Sequence, residues 1–196
     1  MLMNNKKFNT LVVNLFAGSG AGKSSNAYII AGLLKMRGVE CEYVSEWVKD
    51  SCFEGRDNIF KLQSYIFSKQ LKKLFYVNKE TQVIICDSPI LLSALYDPQQ
   101  DEDLRKYIIK TFNKFNNYNI FLNRGDVKFS PIGRNESDVK ESEKFDIKLK
   151  NFLNENQIPY VEEINEVGYN QLDNCKRIAD DIISRLVVDK IYETRG

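Results

Sequence analysis

Residues 15–25 read LFAGSGAGKSS. Three glycines stand among small residues in front of a lysine and two serines, directly after an apolar run. A chain gives up backbone order beside a buried strand for one of two reasons. Either the segment is an ordinary turn, or the backbone must approach something that no side chain may crowd. The flanks bear on the choice. Thr10 to Phe16 (TLVVNLF) is short, β-branched and bounded by glycine, which predicts a buried strand. From Lys23 to about Arg37, the residues Ala27, Ile30 and Leu34 share one face, which predicts a helix. Lys35 and Arg37 suit its negative end, and Gly38 suits a cap.

Further along, the same alternation repeats. Cys41 to Ser45 predicts a second strand ending at Glu46, and Ile59 to about Val77 a helix. Val83 to Cys86 (VIIC) is apolar on both faces, which suits the middle of a parallel sheet, and it ends in Asp87. Asp97-Pro98 predicts the start of a helix running to about Phe115. Asn119 to Leu122 predicts a fourth strand. Asn123 to Lys144 is polar and charged, with Gly125, Pro131 and Gly133, and predicts a flap. Phe145, Leu149 and Phe152 mark another helix, and Tyr160 to Glu162 a fifth strand. The last helix follows from Leu172, Cys175, Ala179, Ile182 and Leu186 at spacings of three and four. Strands alternating with helices imply right-handed βαβ units and a parallel sheet covered on both faces. Such sheets bind ligands at the carboxyl ends of their strands, and the first three strands end at the glycine stretch, at Glu46 and at Asp87.

The chain has 196 residues, 43% hydrophobic and 28% charged, which suits one globular domain. Its formal net charge of +1 gives no global field toward nucleic acid or membrane, so any anion binding must be local. Cys41, Cys52, Cys86 and Cys175 form no CxxC pair and read as reduced thiols of a cytoplasmic protein. No apolar run is long enough for a bilayer, and no signal peptide opens the chain. Histidine is absent, which excludes Ser-His-Asp and Cys-His triads, HExxH zinc sites and any imidazole base.

A phosphate-binding loop needs successive backbone N–H groups aimed into one concavity, a helix N-terminus behind them, a lysine for the β and γ phosphates, and a hydroxyl for Mg²⁺. Gly18, Ser19, Gly20, Ala21, Gly22, Lys23, Ser24 and Ser25 supply these after a strand and before a helix. The pattern GxxxxGK[ST] places glycine where Ala17 stands, and alanine is the mildest replacement. The dinucleotide fingerprint GxGxxG fails, because its last position is Lys23. ATP and Mg²⁺ are therefore the expected ligands.

Asp87 ends an apolar strand, where a carboxylate orients Mg²⁺ directly or through water; the plain alternative is a helix cap before Ser88-Pro89. Glu46 is placed to take the proton of an attacking hydroxyl, with Asp50 as a substitute; the alternative is an exposed loop acid. Trp47 and Phe53 suit either an aromatic wall or core packing. Arg124, Lys128 and Arg134 fall in the flap, where an arginine would neutralise the charge of a transferring phosphoryl group; Arg134 and then Arg124 are the candidates. Arg56 is a candidate acceptor contact or a surface ion pair. Arg124-Gly125-Asp126 and Asn135-Glu136-Ser137 match adhesion and glycosylation patterns by letter only.

The stretches AGSGAGKSS, SEWVKD with FEGR, VIICDSPILLSALY and FLNRGDVKFSPIGRNESD resemble the small P-loop ATP-binding proteins often found in tailed bacteriophages. These are grouped with the nicotinamide riboside kinase domain and, more distantly, with deoxynucleoside kinases. The resemblance covers roughly Leu11 to Val161. It implies an α/β P-loop NTPase fold with a five-stranded parallel sheet, one domain over residues 1–196 and a lid at about 124–144. It further implies ATP at Gly18 to Ser25, an acid at Glu46 near the acceptor, and lid arginines at Arg124 and Arg134. Deoxynucleoside kinases carry Asp/Glu-Arg-Ser after the third strand, whereas Ser88 follows Asp87 here.

The expected activity is a Mg-ATP-dependent kinase acting on a hydroxyl of a small molecule: a nucleoside, nucleotide or ribosyl compound. Lys23 would hold the phosphates, and Ser24 with Asp87 the metal. Alternatives are a kinase of a modified base in DNA, for which the charge advertises no basic face, or a nucleotide-binding ATPase or regulator. A GTPase reading lacks the aspartate of NKxD at Asn78-Lys79-Glu80-Thr81 and Asn113-Lys114-Phe115-Asn116. The expected partner is the small-molecule substrate, and a homodimer is compatible with the sequence.

Overall fold

Five parallel strands form one sheet in the order β2-β3-β1-β4-β5: β1 Leu11–Phe16, β2 Cys41–Val44, β3 Val83–Cys86, β4 Asn116–Arg124 and β5 Val161–Asn165. The computed structural model describes residues 8–48, 57–125, 138–166 and 168–193. In the register, Leu11 lies opposite both Val83 and Asn116, and Ile120 opposite Val161. The long helices are α1 Lys23–Met36, α2 Gln63–Val77, α3 Glu102–Phe112, α4 Val139–Glu155 and α5 Tyr169–Glu193.

Strand alternation divides the core into two layers. Leu11, Val13 and Leu15 of β1 pack with Ile30 and Leu34 of α1 and with Ile178 and Ile182 of α5. Val12 and Phe16 face the other way, onto Phe67 of α2, Phe112 of α3 and Leu149 of α4. The central strand is fully buried, which is why it reads as an apolar run and not as an alternating one. One polar residue interrupts it. Asn14 Nδ2 donates to Asn117 Oδ1 at 2.9 Å and to Asn119 Oδ1 at 3.0 Å, and Asn119 donates to the Pro159 carbonyl at 2.9 Å. A buried amide keeps its place only when bonded, and these bonds pin β1 to β4.

Several expected boundaries move, and the fifth strand, expected over Tyr160 to Glu162, runs Val161–Asn165. The helix expected from Ile59 is a 3-10 turn, Asp57–Lys61, then a break at Leu62, then α2. The helix expected from Asp97 begins instead at Glu102. The Asp101 carboxylate accepts from the Asp103 and Leu104 N–H groups, which caps the helix there, and Asp97–Asp101 is its lead-in. β4 extends from Asn116 through Arg124, so Arg124 is a strand residue and not part of a flap, and α4 already begins at Val139 behind an Asp138 cap. Among the described residues no helix is long and apolar enough to cross a membrane.

Candidate active site

The turn from β1 to α1 folds as the glycine pattern requires. Gly20 and Gly22 take left-handed φ values of 75° and 79°, which glycine adopts at no steric cost. Gly22 has a second reason to be glycine: a Cβ there would collide with the Asn165 amide. Gly18 has only the second kind of reason, since its Cβ would lie 2.5 Å from Ser142 Oγ. Ala17 is buried in the core at ordinary φ, which accounts for alanine where the pattern writes glycine.

Side chains from distant elements hold this loop from two sides. On one side, Asn165 at the end of β5 donates from Nδ2 to the Ala21 carbonyl at 2.5 Å. Its Oδ1 accepts from Asn26 Nδ2 at 2.7 Å, and Asn26 also donates to the Gly22 carbonyl at 2.9 Å. On the other side stands α4. The Ser142 hydroxyl donates to the Ser19 carbonyl at 2.7 Å, and the Asp146 carboxylate accepts from the Gly18 N–H. Arg124 Nη2 donates to the Ser19 carbonyl at 2.9 Å and to Ser142, and lies 3.7 Å from Asp146. The Arg124 side chain is 10% exposed, and its Nε and Nη1 meet no hydrogen-bond partner among the described residues.

Lys23 Nζ donates to the Ala17 and Gly18 carbonyls at 2.8 Å each. The lysine thus lies along its own loop. Next to it, the Ser24 hydroxyl donates to Asp87 Oδ2 at 2.6 Å. The same oxygen accepts from the Tyr43 hydroxyl at 2.7 Å, while Asp87 Oδ1 is buried and meets no partner among the described residues. Burial, and then the adjacent Asp87 charge, push the Tyr43 phenol far above its ordinary range, so Tyr43 stays a donor. Asp87 is 5% exposed, and a carboxylate that deep with one oxygen left over suits a hard cation. Among the described residues no cluster of three or more Asp, Glu, Cys or His forms a complete metal cage. The donor set fits Mg²⁺, which takes one carboxylate, a hydroxyl and the oxygens of a bound phosphate. The helix-cap alternative for Asp87 is replaced by these side-chain partners.

Glu46 lies beyond the end of β2 beside a small recess of about 30 Å³. Trp47, Gln63, Gln70, Ser88 and Tyr96 are among its other walls. Gln70 shapes the turn: its Oε1 accepts from the Trp47 N–H at 2.9 Å and its Nε2 donates to the Ser45 carbonyl at 3.3 Å. The structure therefore brings Lys23, Ser24 and Asp87 together at one sheet edge and sets Glu46 in the recess on the Ser88 side. Arg56, Arg134, Asp50, Phe53, Lys128 and Cys52 lie outside the described residues. Cys41, Cys86 and Cys175 are buried free thiols.

Sequence reading missed Tyr43, Asn165, Ser142 and Asp146. Tyr43 and Asn165 carried a faint signal, since each sits at or near the carboxyl end of a strand. Ser142 and Asp146 carried none, being polar residues at helical spacing in a charged segment.

A family model described as an AAA domain matches residues 12–168 of the chain. No curated protein matches its sequence. Among solved structures, thymidylate kinase from Ehrlichia chaffeensis is similar with a TM-score of 0.56 at 14% identity, over 90% of this chain and 98% of that one. Shikimate kinase from Bacteroides thetaiotaomicron is similar with a TM-score of 0.53 at 15% identity, over 87% of this chain and 97% of that one. At these identities the likeness establishes the α/β P-loop fold.

Proposed function

The chain belongs to the AAA-domain family, and from that premise we propose that it is a Mg-ATP-dependent kinase of a small-molecule hydroxyl, the acceptor being a nucleoside, nucleotide or ribosyl compound. The observation that carries this reading is the Ser24–Asp87 pair. A hydroxyl at the start of α1 is bonded to a buried carboxylate whose second oxygen meets no partner among the described residues, directly behind a glycine-lined lysine loop. The two similar folds named above, a thymidylate kinase and a shikimate kinase, support a kinase role.

In this reading the loop amides and Lys23 bind the polyphosphate. Lys23 exchanges its two carbonyl partners for phosphate oxygens, a trade of neutral acceptors for charged ones that favours the bound state. Ser24 and Asp87 would hold magnesium, which when bound neutralises charge on the phosphoryl group in transfer. Tyr43 keeps Asp87 oriented. Glu46 accepts the proton of the acceptor hydroxyl as its oxygen bonds to phosphorus, and ADP departs with the electron pair of the broken bond. Arg124, whose Nε and Nη1 meet no partner among the described residues, and Arg134 are the candidate groups for the developing charge.

The test incubates the protein with Mg-ATP and a panel of nucleosides, nucleotides and nicotinamide riboside, scoring ADP release and a phosphate mass gain. One acceptor class should turn over, and Lys23→Ala should lower that rate by at least about a thousandfold while the protein stays folded. Unchanged turnover in Lys23→Ala, or calorimetry showing no ATP binding, overturns the reading.

A further inference from the structure

The recess beside Glu46 has a second feature at its mouth. Helix α2 (QSYIFSKQLKKLFYV) carries Lys69, Lys72 and Lys73 and no acidic residue, in a chain whose charges otherwise nearly balance. Tyr65, Lys69, Lys72 and Tyr76 are spaced four, three and four apart, so they form one stripe along the helix. By helix rise the stripe is about 16 Å long. Its rings are open to solvent: Tyr65 is 40% exposed, Tyr76 67%, and the adjoining Phe75 70%. The lysines lie over rings. Lys69 Nζ is 5.0 Å from the Tyr65 ring centre and 5.8 Å from that of Trp47, and Lys72 Nζ is 5.6 Å from that of Tyr76. Trp47 meets Tyr65 edge-on at 5.4 Å and also lines the recess, as do Gln63, Ile66 and Gln70 from the inner face of α2. The stripe thus meets the recess through Trp47.

We infer that this face of α2 is a docking surface for single-stranded nucleic acid. The occupant follows from charge and shape. Exposed aromatic rings at either end of a pair of cations match a polyanion that carries flat bases, with phosphates on the lysines and bases on the rings. A second copy of the chain docked about a two-fold axis on this stripe would set Lys69 and Lys72 against their own copies, which like-charge repulsion opposes. A duplex hides its base faces and leaves the rings nothing to stack on. Lys73 is not counted, because its Nζ is bonded to Ser45. The inference rests on the kinase reading at one point only: the recess at the end of the stripe is then the acceptor's, and the acceptor class extends to a nucleotide carried in a strand.

The test needs no ATP. The full chain is titrated into a fluorescently labelled single strand of about 20 nucleotides, and anisotropy is read from about 20 to 200 mM salt. Binding should be tight enough to measure at low salt and weaken as salt rises, with a logarithmic slope of about −1.4 from two lysines. Lys69→Gln with Lys72→Gln should remove most of that slope, and Tyr76→Ala should weaken binding about tenfold without changing the thermal melt. The inference fails if no binding occurs at the lowest salt, if both variants bind as the parent does, if the same sequence as a duplex binds equally well, or if anionic lipid vesicles bind while the strand does not. Lys23→Ala should leave the anisotropy curve in place while removing turnover, so a failed kinase reading and a failed docking surface give different results.

Discussion

The phosphate-loop candidate and the outer face of α2 are built on opposite plans. The loop from Ala17 to Ser24 is held by partners far along the chain: Asp87, Ser142, Asp146 and Asn165 reach it across 63 to 144 positions. The outer face of α2 is organised almost wholly by its own helical spacing, and Tyr65, Lys72, Phe75 and Tyr76 on it are exposed. The difference lies in where the cost of ordering falls. The loop's backbone is set before any ligand arrives, so little binding energy is spent on arranging it. The α2 face leaves large apolar surface uncovered, and only a partner would recover that energy.

Gly22→Ala tests the loop's plan most severely. It forces a side chain into a left-handed φ of 79° and into the Asn165 amide. A cost of roughly 2–4 kcal/mol is expected, lowering Tm by about 5–15 °C in a melt and abolishing ATP binding in calorimetry. If Gly22→Ala melts like the parent, the loop is not held as described. Asp146→Ala comes next. It removes the acceptor facing the Gly18 N–H and the charge beside Arg124, and should cost about 1–3 kcal/mol by urea unfolding, with weaker ATP binding. An equal loss from Phe75→Ala on α2 would erase the contrast, since that exposed ring should cost well under 1 kcal/mol.

Tyr43→Phe should cost about 0.5–1.5 kcal/mol and weaken the magnesium dependence of ATP binding in isothermal titration, because Asp87 loses a donor. A magnesium response identical to the parent's would remove Tyr43 from the site. A separate effect lies in the alkaline range. Burial pushes the Cys86 and Cys41 thiols up to about 12 and Cys175 up to about 11, from an ordinary 9.0. The unfolded chain releases these protons first, so their contribution to stability is whole below about pH 9 and declines as pH rises toward 12. Cys86→Ala should make the urea midpoint fall less steeply between about pH 9 and 11 than it does in the parent. An unchanged slope would mean that Cys86 is not shielded in the fold.

Much of the candidate site was legible in the sequence. The lysine, the serine and the glycines declare themselves because each is required by the local backbone or by its neighbour in sequence. Asp87 was readable as a candidate because an acid ending an apolar strand is chemically unusual. Asn165 was not, because β5 is an edge strand of mixed polar residues and its end reads as loop. Arg124 was placed in a flap for the same reason: β4 ends in Asn-Arg, which looks irregular, although parallel pairing with Ile164 and Asn165 of β5 keeps Asn123 and Arg124 in the sheet.

Dihedral preference and hydrophobic period act over a few residues, so the linear order of amino acids was enough to determine the succession of strands and helices and the glycine-rich turn before α1. Which groups meet across the sheet was decided only by the strand order β2-β3-β1-β4-β5 and its register. That order puts Tyr43 and Ser24 on one oxygen of Asp87, and Asn165 against Ala21. Such meetings depend on how whole layers pack, a property of the summed core that no short window of residues contains.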